Sequence, residues 1–155
     1  MKPPPLRLRL LFLAALAAAP SLALAQASCN FAVGSALAFG PYDPFATSPR
    51  DAASALVYRC PPGQSVRISL DRGLSGSFAS REMRQGSESL LYNMYLDAAR
   101  TVVWGDGTGG TSTGPGVAVR GPGGTTVAWV FGRIPAAQDA VAGAFGDTIR
   151  VTFQL

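Results

Sequence analysis

The chain has no histidine. A Ser-His-Asp or Cys-His nucleophilic site therefore cannot be assembled from it. A zinc site would have to rest on two cysteines and carboxylates, an unusual ligand set. Charge is also scarce: 14% of the 155 residues are Asp, Glu, Lys or Arg, against about 25% in an average soluble protein. Lysine occurs once, at Lys2. No apolar run reaches the about 20 residues that a membrane-spanning helix needs, so a permanent membrane anchor is not expected.

The longest apolar run, Leu10 to Ala19, follows Lys2, Arg7 and Arg9 and precedes Ala23-Leu24-Ala25. A basic stretch, a short apolar core and an A-x-A site together read as a secretory signal peptide over residues 1–25, cut after Ala25. The alternative is a short buried N-terminal helix. Cleavage would remove three of the 13 basic residues, leaving ten arginines against nine acids. The basic balance then belongs mostly to the leader. The remaining arginines are scattered among acids, which speaks against a nucleic-acid partner and against a polybasic membrane patch.

Cys29 and Cys60 both lie in the exported part, 26–155. An even count in an oxidising compartment reads as one disulfide, with two free thiols as the alternative. Closing that loop is worth about 3–4 kcal/mol on the loop-entropy account. Cys29 is preceded by Gln26-Ala27-Ser28, without the upstream Leu of a bacterial lipoprotein signal, so lipidation is not expected.

All 18 glycines and eight of the 12 prolines fall after residue 25. They separate short segments rich in β-branched and aromatic residues, the pattern of an all-β sandwich. Phe31, Val33, Leu37 and Phe39 mark a first strand, broken near Gly34-Ser35. Ser54 to Cys60 is a second strand. Val66, Ile68 and Leu70 alternate with polar residues as a half-buried strand. Residues 89–96 fit strand or helix, with the tyrosines favouring strand. A short strand is expected at Val117 to Arg120 and a strong one at Thr126 to Ile134, with Val127, Trp129 and Phe131 on one face. Ile149, Val151, Phe153 and Leu155 alternate with Arg150, Thr152 and Gln154 as the last strand.

Three features invite chemical readings. Gly105 to Gly110 satisfies G-x-G-x-x-G, but Thr111-Ser112-Thr113-Gly114-Pro115 cannot open the helix a dinucleotide site needs; a flexible glycine loop is expected. The nine carboxylates include no pair marked out for acid–base work. Trp104 and Trp129 fit packing on alternating strands. The alternative is an adhesive, carbohydrate-binding patch built from Trp104, Tyr92 and the 105–116 loop. Neither an enzyme nor a cofactor is expected.

Taken in order, Cys29, Phe39-Gly40-Pro41-Tyr42-Asp43-Pro44, Cys60, Arg81 and Met83, Leu91-Tyr92-Asn93-Met94-Tyr95, Trp104-Gly105-Asp106-Gly107, Phe131-Gly132-Arg133-Ile134-Pro135 and Gly143-Ala144-Phe145-Gly146-Asp147-Thr148 resemble the spore coat protein U domain family. These are the pilin-like domains of archaic chaperone–usher pili, and the resemblance runs from about residue 29 to 155. It implies an incomplete immunoglobulin-like (pilin-type) β-sandwich lacking its final strand. It also implies donor-strand complementation: a periplasmic pilus chaperone, then a neighbouring pilus subunit at the outer-membrane usher, lends the missing strand. The groove accepting that strand is expected between Phe31, Val33 and Leu37 of the first strand and Ile149, Val151 and Phe153 of the last. Polymerising relatives carry a donor extension before the first cysteine. Here three residues would remain after cleavage, spanning at most about 11 Å. The expectation is a subunit at one end of a fibre, or a self-associating coat protein.

Overall fold

A computed structural model of the protein describes residues 29–32 and 34–155. The expected leader, 1–25, and Val33 lie outside the described residues. Eight strands are present: β1 (Asn30–Ala32), β2 (Arg50–Arg59), β3 (Arg67–Leu70), β4 (Arg81–Gln85), β5 (Glu88–Tyr95), β6 (Ala118–Arg120), β7 (Thr125–Ile134) and β8 (Val151–Gln154). Two single 3-10 turns are the only helical pieces among the described residues.

The strands form two sheets. The large one runs β1-β2-β7-β5-β4, with β6 also paired to β7. The small one is β3 paired antiparallel to β8. Core residues come from one face of each. Tyr58, Leu90, Tyr92, Met94, Ala128, Val130 and Ile134 of the large sheet meet Ile68 and Leu70 of the small one. Strand period fixes this, because alternate side chains leave a strand on opposite faces.

Residues 89–95 are strand, as the tyrosines suggested, and Leu90, Tyr92 and Met94 face the core. In β7 the core face is again the even one, Thr126 to Ile134. The face carrying Val127, Trp129 and Phe131 is the outer one, and Trp129 is 39% exposed. Buried packing of Trp129 is thereby corrected. Its cross-strand partner is Ala55, too small to cover an indole.

The first strand breaks where Gly34-Ser35 suggested. β1 holds only three residues, paired to the end of β2, and 34–39 runs on without ladder pairing. Cys29 and Cys60 are bonded to each other at the start of that pairing. The long connection after β7 is tied down by Tyr42, whose hydroxyl donates to the Pro135 carbonyl (3.0 Å) and accepts from the Gln138 N–H (2.8 Å).

The glycine-rich segment is folded into hydrogen-bonded turns. Gly105 N–H donates to the Ser112 carbonyl, and Gly114 and Ile68 exchange both backbone hydrogen bonds. This lays Gly114 across the indole of Trp104, where a Cβ would overlap the ring. Trp104 is fully buried and its Nε1–H donates to the Ile68 carbonyl at 3.0 Å. Tyr92 is 5% exposed. The adhesive patch of Trp104, Tyr92 and the 105–116 loop is therefore corrected, since neither ring has a face free to stack on a sugar.

Candidate functional site

Among the described residues the outer edges of β3 and β4 carry isolated bridges, to Gly114 and Gly146, whereas those of β1 and β8 carry none. β1 pairs only with β2, and β8 only with β3. Between the continuation of β1 and the segment leading into β8 lies an apolar groove of about 520 Å³. Its walls include Leu37 and Phe39 on one side and Phe145, Ile149 and Val151 on the other. Its floor is the core itself, Leu56, Tyr92, Met94 and Val130. A second cavity, of about 450 Å³, shares Met83 and Phe145 with the first and continues past Tyr42 and Ile134 to Ala140–Gly143.

The edge of β8 has a definite polarity. Ile68 spends its N–H and C=O on Gly114, and Leu70 donates to the Gly105 carbonyl. Both therefore point away from β8. Their partners across the ladder are Phe153 and Val151, which makes these non-hydrogen-bonded pairs. The backbone N–H and C=O groups of Val151 and Phe153 accordingly face the open edge, and those of Thr152 and Gln154 face β3. The side chains of Val151 and Phe153 lie on the core side, as Leu70 and Ile68 do, yet stay half-buried. Unpaired backbone beside uncovered apolar side chains is a template for another strand.

Of the residues expected at the groove, Leu37, Ile149 and Val151 line it. Phe31 and Phe153 stand at one end instead. Their ring centroids are 3.7 Å apart, and Tyr58 packs within 6.5 Å of Phe31 and 6.1 Å of Phe153. These aromatics join the two edges directly. Val33 is outside the described residues. Reading alternation alone missed Phe39, Met83 and Phe145, although all three stand in the stretches that carry the family resemblance.

Two polar devices hold the groove open. Gly146 exchanges backbone hydrogen bonds with Arg84 of β4 (2.8 and 3.1 Å), carrying the chain from the large sheet to the small one. Next to it, Asp147 accepts from the Tyr92 hydroxyl (2.7 Å), the Leu74 N–H (3.0 Å) and its neighbour Thr148 N–H (2.7 Å). Gly73 lies so close that a Cβ there would overlap the carboxylate, and its φ of +60° suits glycine. Burial, together with the hydrogen bond to Asp147, pushes the Tyr92 hydroxyl above its ordinary range, so it stays a donor. Asp147→Ala leaves that buried hydroxyl without its acceptor and frees the lead into β8. A loss of about 1.5–3 kcal/mol is expected, read as a lower urea midpoint, with Asp147→Asn recovering part of it.

Beneath the groove floor, Arg81 is fully buried. Its guanidinium donates to the carbonyls of Asp71 (3.0 and 2.8 Å) and Trp104 (2.7 Å) and to Asn93 Oδ1 (2.7 Å). Burial pushes its pKa below the ordinary arginine value. Asn93 in turn donates to the Phe78 carbonyl at 2.9 Å. These groups satisfy one another and tie β3, β4, β5 and the Trp104 segment together. No cluster of three potential metal ligands occurs among the described residues, and no described helix is long and apolar enough to cross a membrane.

An all-β sandwich with one disulfide and an apolar groove beside its last strand is the architecture of a pilin-type domain. The sequence matches the Spore Coat Protein U domain family over residues 13–152, and the protein belongs to that family. It is 29% identical over 132 residues to Protein U of Myxococcus xanthus, covering 77% of this chain and 71% of that protein. Its fold is similar to one chain in the crystal structure of the CsuC–CsuE chaperone–tip adhesion subunit pre-assembly complex, from the archaic chaperone–usher Csu pili of Acinetobacter baumannii. The TM-score is 0.59 at 22% identity, over 83% of this chain. This chain spans 39% of the length of that one, and the likeness is one of fold.

Proposed function

We propose that the protein is an exported, non-catalytic subunit of a cell-surface pilus or fibre, completed by a strand from another polypeptide. The observation that carries this reading is the open edge of β8. Among the described residues nothing pairs with the backbone groups that Val151 and Phe153 present there, beside a groove lined by Leu37, Ile149 and Val151. An added strand would pair with that edge and lay alternate apolar side chains into the two cavities. Each well-covered aliphatic side chain contributes about 1.5–3 kcal/mol. The donors are a periplasmic pilus chaperone during transit and a neighbouring pilus subunit after transfer at the outer-membrane usher. Cleavage after Ala25 would leave Gln26-Ala27-Ser28 before Cys29, a segment too short to be a donor strand. Such a subunit accepts a strand without supplying one and belongs at one end of a fibre. N-terminal sequencing of the exported protein tests that position: a start ten or more residues before Cys29 removes the argument.

Hydrogen exchange tests the groove. In the bare chain the amides of Val151 and Phe153 exchange fast, while those of Thr152 and Gln154 are protected by β3. Co-purification with a periplasmic chaperone slows the first pair, and Val151→Asp abolishes co-purification. Slow exchange at Val151 and Phe153 in a stable, isolated monomer would contradict the proposal.

A further inference from the structure

The outer face of the large sheet is apolar where solvent is expected. On β7 it carries Val127, Trp129 and Phe131; beside them on β2 stand Val57, Ala55 and Ala53. Cross-strand partners share a face, so the two strands form a column of large side chains next to a column of smaller ones. Val119 of β6 and Val117 just before it extend the patch and are 58% and 49% exposed. Contiguous apolar surface of this kind, about 400 Å² in extent, lies in the range of the largest patch on an ordinary monomer, which is often functional. One end of it is closed by charge. Arg133 holds Asp51 through two hydrogen bonds (2.7 and 2.9 Å), and Arg100 Nε lies 3.2 Å from the same carboxylate.

We propose that this face packs against the same face of a second copy, about a two-fold axis running parallel to the strands between β2 and β7. Such an axis inverts the order of strands but keeps height along them. It sets β2 of one copy over β7 of the other, so that Trp129 and Phe131 lie over Ala55 and Ala53 of the second copy. The large column of each fills the step left by the small column of its mate. The same operation brings the two charged ends together, with each Asp51 opposite the other copy's Arg133. The surface is thus complementary to itself in shape and in charge, as a two-fold contact requires.

Its size sets its strength. Two such patches remove about 800 Å² together, below the about 1,200 Å² of a stable interface. The contact is weak between free molecules and is expected to form only at about millimolar concentration. It lies on the opposite face from the groove and does not depend on strand donation.

The test uses the full exported chain with its native disulfide intact. Val127→Cys chains are mixed at about 1 mM with Val57→Cys or, separately, with Ala53→Cys chains and treated with a short bis-maleimide. The dimer through 127 and 57 is expected at least about fivefold above the dimer through 127 and 53, since the axis sets Val57 of one copy at the height of Val127 of the other, while Ala53 lies four residues, about 13 Å, further along the strand. Adding Trp129→Asp, or separately Asp51→Arg, to both chains lowers that yield at least about fivefold, while Val151→Asp in the groove leaves it unchanged. Circular dichroism confirms the fold of each variant. Equal yields of the two mixed dimers, or a dimer through 127 and 57 indifferent to both outer-face substitutions, would overturn the proposal.

Discussion

Replacing Arg81 by Met is expected to cost about 3–5 kcal/mol, the largest single-residue loss considered. The domain as a whole commands about 5–15 kcal/mol, and an uncovered groove places this one toward the low end. The reason is the identity of Arg81's partners. A buried hydrogen-bonded group is replaceable by an apolar one when its partners can be replaced too. Two of the three acceptors here are main-chain carbonyls, of Asp71 and Trp104, which no substitution removes. The third, Asn93 Oδ1, also accepts from the Met94 N–H. Methionine fills the space and leaves buried acceptors unmet, at about 1–3 kcal/mol each. Arg81→Lys keeps the charge but replaces a planar fork with a point donor. It cannot reach all three acceptors and should lose about half as much. The checks are the yield of soluble, oxidised, exported protein and the urea midpoint. A loss below about 1 kcal/mol for Arg81→Met would show that water replaces the guanidinium, and that the network does not hold the sheets together.

The importance of Arg81 was only half visible beforehand. It stands among the residues that carry the family resemblance, yet its role depends on carbonyls, which every residue possesses. Nothing in residue type announces that Asp71 and Trp104 will turn theirs toward it. The strands themselves were far more legible. Ile68 and Leu70 alternate cleanly, and Val151 and Phe153 sit opposite them. β7 shows the limit of that reasoning. A period of two says that the faces differ, not which face is inside. Both faces of β7 are apolar, Ala128, Val130 and Ile134 on one and Val127, Trp129 and Phe131 on the other. The choice is made by neighbours, because β2 offers Leu56 and Tyr58 on one side and Ala53 and Ala55 on the other. The groove is the same problem at longer range. Leu37 and Ile149 line one groove although more than a hundred residues separate them, and only the ordered set of motifs pointed to that. Phe31 and Phe153, assigned to the same groove by alternation, meet each other instead.

Removing the disulfide, as Cys29→Ser with Cys60→Ser, is the second large effect expected. The bond spans 31 residues of sequence, and opening such a loop costs about 3–4 kcal/mol on the loop-entropy account. The loss falls on a particular wall. Among the described residues β1 is three residues long and pairs only with β2, and 34–39 carries no ladder pairing. Three ladder residues cannot offset the entropy of ordering that segment, at about 1–2 kcal/mol per residue. The covalent tie at Cys29 therefore holds Phe31 against Phe153 and keeps Leu37 over the groove. Without it, β1 detaches before the rest unfolds. Amides of Asn30, Ala32, Val57 and Arg59, which face the β1–β2 ladder, then exchange faster, while Tyr58, β7 and β5 stay protected, and capture of a donor strand is lost together with the groove's first wall. Reduction of the native protein by a thiol should reproduce both effects. If instead the double variant unfolds at the native urea midpoint and still co-purifies with a chaperone, the groove's first wall stands without its covalent anchor, and β1 must be held by contacts stronger than its three paired residues supply.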